Sequence, residues 1–273
     1  MLLLIDAGNT RIKWALAASG APAGQWLACG VVAQAERDGL AAQWREMAID
    51  TVLASNVAGP EVQAALTAQL LAVVTHPATR PAVTWFRSVA SLDGVRNRYR
   101  DPASLGCDRF AALIGAHRLR PGQSSIVATC GTATTVDALD AQGEFIGGMI
   151  LPGLGLMAAS LAQRTAQLPQ IAAAALPPTG ATRVFADNTQ DAIYSGCLAA
   201  QAGAIERAVA AHGGAHCLLS GGAAAWIAAY LSVPFTLVDN LVLIGLHAAA
   251  QAPGAVIAPP SPTTAISGAD RPC

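Results

Sequence analysis

The sequence predicts an α/β protein made from two copies of one folding unit, with a cleft between the copies. Three observations carry that prediction. An apolar run at residues 2–5 ends in the polar turn Asp6-Ala7-Gly8-Asn9-Thr10, and an alternating segment at 12–16 follows. The same order returns at 125–128, in the turn Thr129-Cys130-Gly131-Thr132-Ala133-Thr134-Thr135, and at 136–139. Between the two lie segments with apolar residues three and four apart, the spacing of a helix packed on one face.

Taken in chain order, residues 2–16 read as a β-hairpin, because two short apolar runs flank a tight polar turn. Residues 34–49 and 60–74 read as helices, and 51–54 between them as a buried strand ending in Ser55-Asn56. Leu105-Gly106-Cys107-Asp108-Arg109 opens an apolar helix over 110–116. The breaker cluster Arg120-Pro121-Gly122 is the expected boundary, giving lobes at 1–120 and 121–250. In the second lobe Asp140-Ala141-Gln142-Gly143 turns the chain into a third strand at 144–150. Ser220-Gly221-Gly222-Ala223-Ala224 reads as a connection from an apolar strand to an alanine-rich helix. The stretch 251–273 is rich in Pro, Ala, Ser and Thr and is expected to be a disordered tail.

Composition removes several classes of function. The 273 residues are 53% hydrophobic and 12% charged, too apolar for a disordered chain. Lys and Arg number 16 against 17 Asp and Glu, so no basic excess exists to hold nucleic acid. The mean hydropathy of +0.43 raises the question of a membrane span. Residues 208–238 lack Asp, Glu, Lys and Arg, but Gly213-Gly214, Gly221-Gly222 and Pro234 break them. A spanning helix needs about 20 predominantly apolar residues in one run. The start meets Asp6 too early for a signal peptide, so a cytoplasmic protein is expected. Six cysteines without a C-x-x-C pair then read as free thiols.

Chemistry concentrates in the two turns and at one helix start. Gly8 lets the first turn approach a ligand closely, and small polar groups there can form an anion site. Asp6 beside phosphates makes sense if it holds Mg²⁺, and Lys13 adds a positive charge. By itself that segment reads first as an ordinary hairpin turn, with Asp and Asn as routine turn formers. The second turn offers three hydroxyls and a glycine with no charge, so two such turns across a cleft could hold a polyphosphate from both sides. Neither a P-loop nor a G-x-G-x-x-G is present. The third glycine turn, at 220–224, could accept a flat adenosine or serve only as a tight connection. Asp108 in a first helical turn is ordinary dipole compensation, but Arg109 there is not. Arg109 could grip a carboxylate in a fork, and Asp108 could accept the proton of an attacking hydroxyl. Thr189 is either a helix cap or a substrate contact. His212 and His216 read as surface or loop residues.

Together these motifs resemble the type III pantothenate kinase family. The resemblance runs from Leu2 to about Ala249. It is carried by I-D-A-G-N-T-R-I-K-W at 5–14, Y-x-x-P-x-x-L-G-x-D-R ending at Arg109, and G-T-A-T-T at 131–135. G-G-M-I-L-P-G at 147–153, T-A-Q-L-P at 165–169 and N-T at 188–189 continue it. It implies duplicated ribonuclease H-like domains of the actin-like ATPase type, with an interdomain cleft. It also implies transfer of the ATP γ-phosphate to the primary hydroxyl of pantothenate, the first step of coenzyme A synthesis.

By this resemblance Asp6, Ala7, Gly8, Asn9, Thr10, Arg11, Ile12, Lys13 and Thr132 contact ATP, with Asp6 near Mg²⁺. Asp108 is the proton acceptor. Tyr99, Gly106, Cys107, Asp108, Arg109 and Thr189 line the pantothenate pocket, which lies at the interface of a homodimer. Many members hold a monovalent cation, K⁺ or NH₄⁺, with an Asp where this chain has the uncharged Thr129. Two other readings stand beside this one: another small-molecule kinase of the superfamily, and a nucleotide-binding regulator without turnover.

Overall fold

The computed structural model describes residues 1–73, 82–164 and 184–252. The T-A-Q-L-P motif and the tail beyond residue 252 lie outside the described residues.

The opening hairpin forms as expected. Strand β1 (Leu2–Ala7) pairs antiparallel with β2 (Arg11–Ala17), placing Asp6 opposite Lys13. β2 continues antiparallel to β3 (Ala28–Ala33). A 3₁₀ turn at Gln34–Gly39 and the short α1 (Leu40–Trp44) replace the single helix expected at 34–49. Gly39, weak in a helix interior, sits where the two meet. β4 (Thr51–Asn56) then lies parallel to β1 and sets Ser55 beside Asp6. Helix α2 (Pro60–Val73) leads to β5 (Ala82–Trp85), parallel to β4. The first sheet thus has the order β3-β2-β1-β4-β5.

β6 (Ser91–Leu92) and β7 (Val95–Asn97) follow, then α3 (Cys107–Leu119). β8 (Ser125–Cys130), β9 (Ala133–Leu139) and β10 (Glu144–Pro152) form an antiparallel run. Helices α4 (Leu154–Arg164) and α5 (Thr189–Ala211) precede β11 (His216–Ser220), which lies parallel to β8. Next come α6 (Ala224–Ala228), β12 (Phe235–Leu237) parallel to β11, and α7 (Leu241–Gln251). The second sheet has the order β12-β11-β8-β9-β10-β7-β6. Its first five strands repeat the first sheet strand for strand, with the same pattern of parallel and antiparallel neighbours. The duplication read from two hairpins is therefore a duplication of whole sheets. β6 and β7 precede the breaker cluster at 120–122, yet they already belong to the edge of the second sheet.

Alternation along the strands assigns each sheet two apolar faces. Leu3, Ile5 and Ala7 pack toward α1 and α2, while Leu4 points to the opposite side. In the second sheet Ile126, Ala128 and Cys130 pack toward α4, α5 and α6, and Val127 points the other way. The faces bearing Leu4 and Val127 enclose α3 and α7, so the layers run helix, sheet, helix, sheet, helix.

The central pair of helices crosses backbone close to backbone at two glycines. A Cβ added at Gly245 would sit 1.7 Å from the Ala111 carbonyl oxygen, and one at Gly115 would sit 2.6 Å from that of Leu241. Only glycine permits this approach of backbone to backbone. Gly203 on α5, by contrast, has open space around it. Gly245→Ala should therefore lower unfolding stability by about 1–3 kcal/mol or more through overpacking. Gly203→Ala should raise it by up to about 1 kcal/mol through helix propensity. Urea denaturation of both variants checks this; equal stability of Gly245→Ala and wild type would contradict the close crossing.

Candidate active site

The two glycine turns meet tip to tip. In the first, the Gly8 amide donates to the Arg11 carbonyl at 3.1 Å, and Gln34 Nε2 donates to the Gly8 carbonyl at 2.6 Å. In the second, the Gly131 amide donates to the Ala133 carbonyl at 3.0 Å. Both tips are exposed, and Thr10 Oγ1 lies 2.6 Å from Thr132 Oγ1. Hydroxyls from the two sheets therefore converge on one point, where a single phosphate could bond to both.

The second turn is braced from behind. Thr134 Oγ1 donates to Gln201 Oε1 at 2.5 Å, and Gln201 Nε2 donates to the Pro152 carbonyl at 2.7 Å. Both side chains are fully buried. Gly153 and Gly221 hold the neighbouring chain against the end of β8. A Cβ at Gly153 would fall 2.1 Å from the Gly131 carbonyl oxygen, and one at Gly221 would fall 2.4 Å from that of Cys130. Gly221 also has a φ of +99°, which disfavours any other residue. The third glycine turn thus lies beside the second. The helix after it, α6, is only five residues long.

The sheet duplication pairs the turns residue for residue. Asp6 is flanked in register by Lys13 and Ser55. Its counterpart Thr129 is flanked by Thr135 and Ser220. One lobe presents a carboxylate opposite a lysine at the turn end of its central strands, and the other presents only hydroxyls.

Asp108 enters from α3. Its Oδ1 accepts the Arg109 backbone N–H at 2.8 Å, inside the first turn of that helix. Gly106 leaves room for this: a Cβ there would lie 2.7 Å from Asp108 Oδ1. Cys107 bridges to the first sheet, with Sγ 3.4 Å from Ser55 Oγ and 3.5 Å from the Asn56 carbonyl oxygen. Burial pushes this thiol above its ordinary pKa, so it remains protonated. Asp6, Lys13, Ser55, Cys107 and Asp108 form one group, with charges drawn from both central β-strands and α3.

The electrostatics of that group invite a cation. Burial and the nearby Asp108 carboxylate push Asp6 up to about 7, although Lys13 and a hydrogen bond from Ser55 pull the other way. Burial also raises Asp108, against hydrogen bonds from backbone N–H groups and the charge of Arg109. Among the described residues no three His, Cys, Asp or Glu side chains are grouped as a metal cage. Two adjacent carboxylates without a cage suit Mg²⁺, which is usually held by one or two carboxylates together with substrate phosphates.

Arg109 departs from expectation. Its fork does not face the cleft as a free carboxylate clamp. Nε and Nη2 donate to Asp137 Oδ2 and Oδ1 at 3.1 and 2.5 Å, and Nη1 donates to the Tyr99 hydroxyl at 3.0 Å. Arg109 is 7% exposed and Asp137 1%. Burial disfavours the guanidinium charge, but the Asp137 hydrogen bonds and charge outweigh it, so Arg109 stays ionised. Thr189 is exposed at the first position of α5, and the cap of that helix is Asn188, whose side chain accepts the Asp191 amide. Tyr99, Gly106, Cys107, Asp108 and Arg109 are thus brought together, while Thr189 stands on a separate element. His212 bonds the Leu139 carbonyl and His216 the Thr236 hydroxyl, which are local structural roles.

A carboxyl whose pKa is raised by folding binds its proton more tightly in the folded chain. It contributes stability at low pH, and that contribution is lost as pH rises toward the folded value. For Asp6 the loss runs from the ordinary carboxylate range up to about 7. In metal-free protein, Asp6→Asn should raise Tm at pH 8 and change it little at pH 5. Thermal unfolding at both pH values checks this; an equal change at both would contradict it.

Comparison with known proteins gives the family. The family model for type III pantothenate kinase matches residues 2–211. The type III pantothenate kinase of Janthinobacterium sp. (strain Marseille) is 60% identical, over 92% of this chain and 97% of the relative. That of Herminiimonas arsenicoxydans is 56% identical over the same shares. Among solved structures, a candidate 2-dehydro-3-deoxygalactonokinase from Sinorhizobium meliloti superposes with a TM-score of 0.57 at 18% identity, covering 92% of this chain and 98% of that one. That likeness speaks to the fold alone, and it is the duplicated fold of sugar kinases and actin-like ATPases. A glycine turn from each lobe, a carboxylate pair between them, and a family model spanning most of the folded residues lead to one conclusion: this chain belongs to the type III pantothenate kinase family.

Proposed function

We propose that this protein phosphorylates the primary hydroxyl of pantothenate with ATP, giving 4′-phosphopantothenate for coenzyme A biosynthesis. The observation that carries the reading is the contact of Thr10 with Thr132 beside Asp6 and Asp108. It supports a triphosphate site and a proton acceptor in one cleft.

Phosphoryl transfer is mostly positioning and charge neutralisation, because little covalent work falls to the protein. The backbone and hydroxyls of residues 6–13 and Thr132 align the triphosphate, and Lys13 offsets part of its charge. Mg²⁺, when bound, neutralises the phosphate oxygens, and Asp6 is the residue that would hold it. Asp108 takes the proton of the attacking hydroxyl. Its raised pKa makes it a better proton acceptor than an exposed carboxylate. Tyr99, residues 106–109 and Thr189 form the pantothenate pocket on this reading.

The finer parts of the reading rest on specific features. Exposed Ile146 and Ile150 on β10 are apolar side chains that a homodimer would cover, which supports that reading. Among the described residues no helix is long and apolar enough to cross a membrane. Free cysteines among those residues and a nucleotide substrate support a cytoplasmic setting. Thr129 supplies no carboxylate, so a K⁺ or NH₄⁺ ion would have to be held by neutral oxygens.

The test is turnover with ATP and pantothenate, measured with and without K⁺ or NH₄⁺ and against a panel of sugars and acetate. Phosphorylation of pantothenate alone is expected. Turnover confined to a sugar or acetate would favour another kinase of the superfamily, and absence of any turnover a regulator. Asp108→Asn should lower kcat by about 10²–10⁴-fold while ATP binding is retained. Near-normal turnover of that variant would remove Asp108 from the role.

A further inference from the structure

Arg109 in the first turn of α3 has no favourable interaction with the helix dipole. Its position is explained by what its side chain reaches. Asp137 on β9 meets it through two parallel N–H···O bonds, the geometry in which an Arg–carboxylate pair is most directional. The pair is almost wholly buried. The guanidinium carbon also lies 5.6 Å from the Tyr99 ring centre and 5.9 Å from that of Phe145, and the two rings pack 5.2 Å apart.

Space for this arrangement is kept by a glycine. Gly148 on β10 is the register partner of Asp137. A Cβ there would sit 1.9 Å from Asp137 Oδ1 and 2.8 Å from Arg109 Nη2. The first glycine pair of the G-G-M-I-L-P-G motif therefore has a specific task at its second member.

Two consequences follow from the donor count. A guanidinium carries five N–H bonds, and three are directed at Asp137 and Tyr99. Two meet no partner among the described residues and are left for an acceptor molecule. In addition, the Arg109 backbone N–H holds Asp108 Oδ1, so an anchor on the Arg109 side chain also fixes the turn that aims Asp108.

We propose that Asp137, given room by Gly148, is a positioning residue for the acceptor side of the reaction. It anchors Arg109 to the second sheet, leaves its two unengaged N–H bonds to receive the acceptor, and sets the direction of Asp108 toward the first sheet. The proposal rests on the pantothenate kinase reading, and wild-type turnover of pantothenate is measured first so that failure of that reading is seen separately.

The experiment compares the full-length wild type with Asp137→Asn and Asp137→Glu. Asp137→Asn is expected to raise KM for pantothenate at least about tenfold and to lower kcat, while KM for ATP stays within about twofold. Asp137→Glu keeps the charge but displaces the carboxylate from the space beside Gly148, so it is expected to recover most of kcat while KM for pantothenate stays raised. A purely structural role would reduce the active fraction and leave both KM values unchanged, and that pattern would overturn the proposal. If Asp137→Asn fails to fold, Asp137→Glu decides: a raised KM for pantothenate beside an unchanged KM for ATP supports the proposal, and wild-type values for both contradict it.

Discussion

The close crossing of α3 and α7 is the constraint on which the site depends. Two glycines, Gly115 and Gly245, let these helices touch backbone to backbone between the sheets. That contact sets how near the sheets approach, because both sheets pack on the same helix pair. The sheet separation in turn decides whether Thr10 and Thr132 can meet. α3 has a second task at its other end. Its first turn carries Asp108 to Asp6, so the spacer between the lobes also carries one of the two carboxylates.

Charge is divided unequally between two lobes of the same topology. The first lobe concentrates Asp6 and Lys13 at the end of its central hairpin, and the second answers with Thr129 and Thr135. The Asp6 carboxylate and Lys13 ammonium thus stand on one side of the cleft, and neutral hydroxyls on the other. The buried charges further in are compensated locally, Arg109 by Asp137, as the cost of unpaired buried ions requires. The Asp6–Asp108 pair is the exception. Two like charges held close in a partly buried site are a cost to the empty fold that a bound cation relieves.

Much of this was legible in the sequence, and the reasons differ by element. The hairpin at 2–16 was readable because its turn chemistry and strand alternation agree. The duplication was readable because the same agreement recurs at 125–139. Helix 34–49 was not, because Gly39 and local packing divide a pattern that spacing alone makes continuous. Asp108 and Arg109 stood out as an acid–base pair at a helix start, but the carboxylate that fills the Arg109 fork, Asp137, was not legible beside them, since it lies 28 residues away. A signal existed: an Asp inside the apolar strand Val136-Asp137-Ala138-Leu139 needs a buried opposite charge. Gln201 left no such mark, because its role arises only when α5 is folded against β9; Gly148 stood in the G-G-M-I-L-P-G motif, but its task shows only once β10 lies beside β9.

The central claim is that one phosphate group is gripped from both lobes at the Thr10–Thr132 contact. A double-mutant cycle on KM for ATP, with Thr10→Val, Thr132→Val and the pair, tests it most directly. If both hydroxyls serve one ligand, each single change should raise KM for ATP, and the combined effect should differ clearly from the product of the two. Wild-type KM in both single variants would show that the tips touch without holding the nucleotide, and would contradict the account.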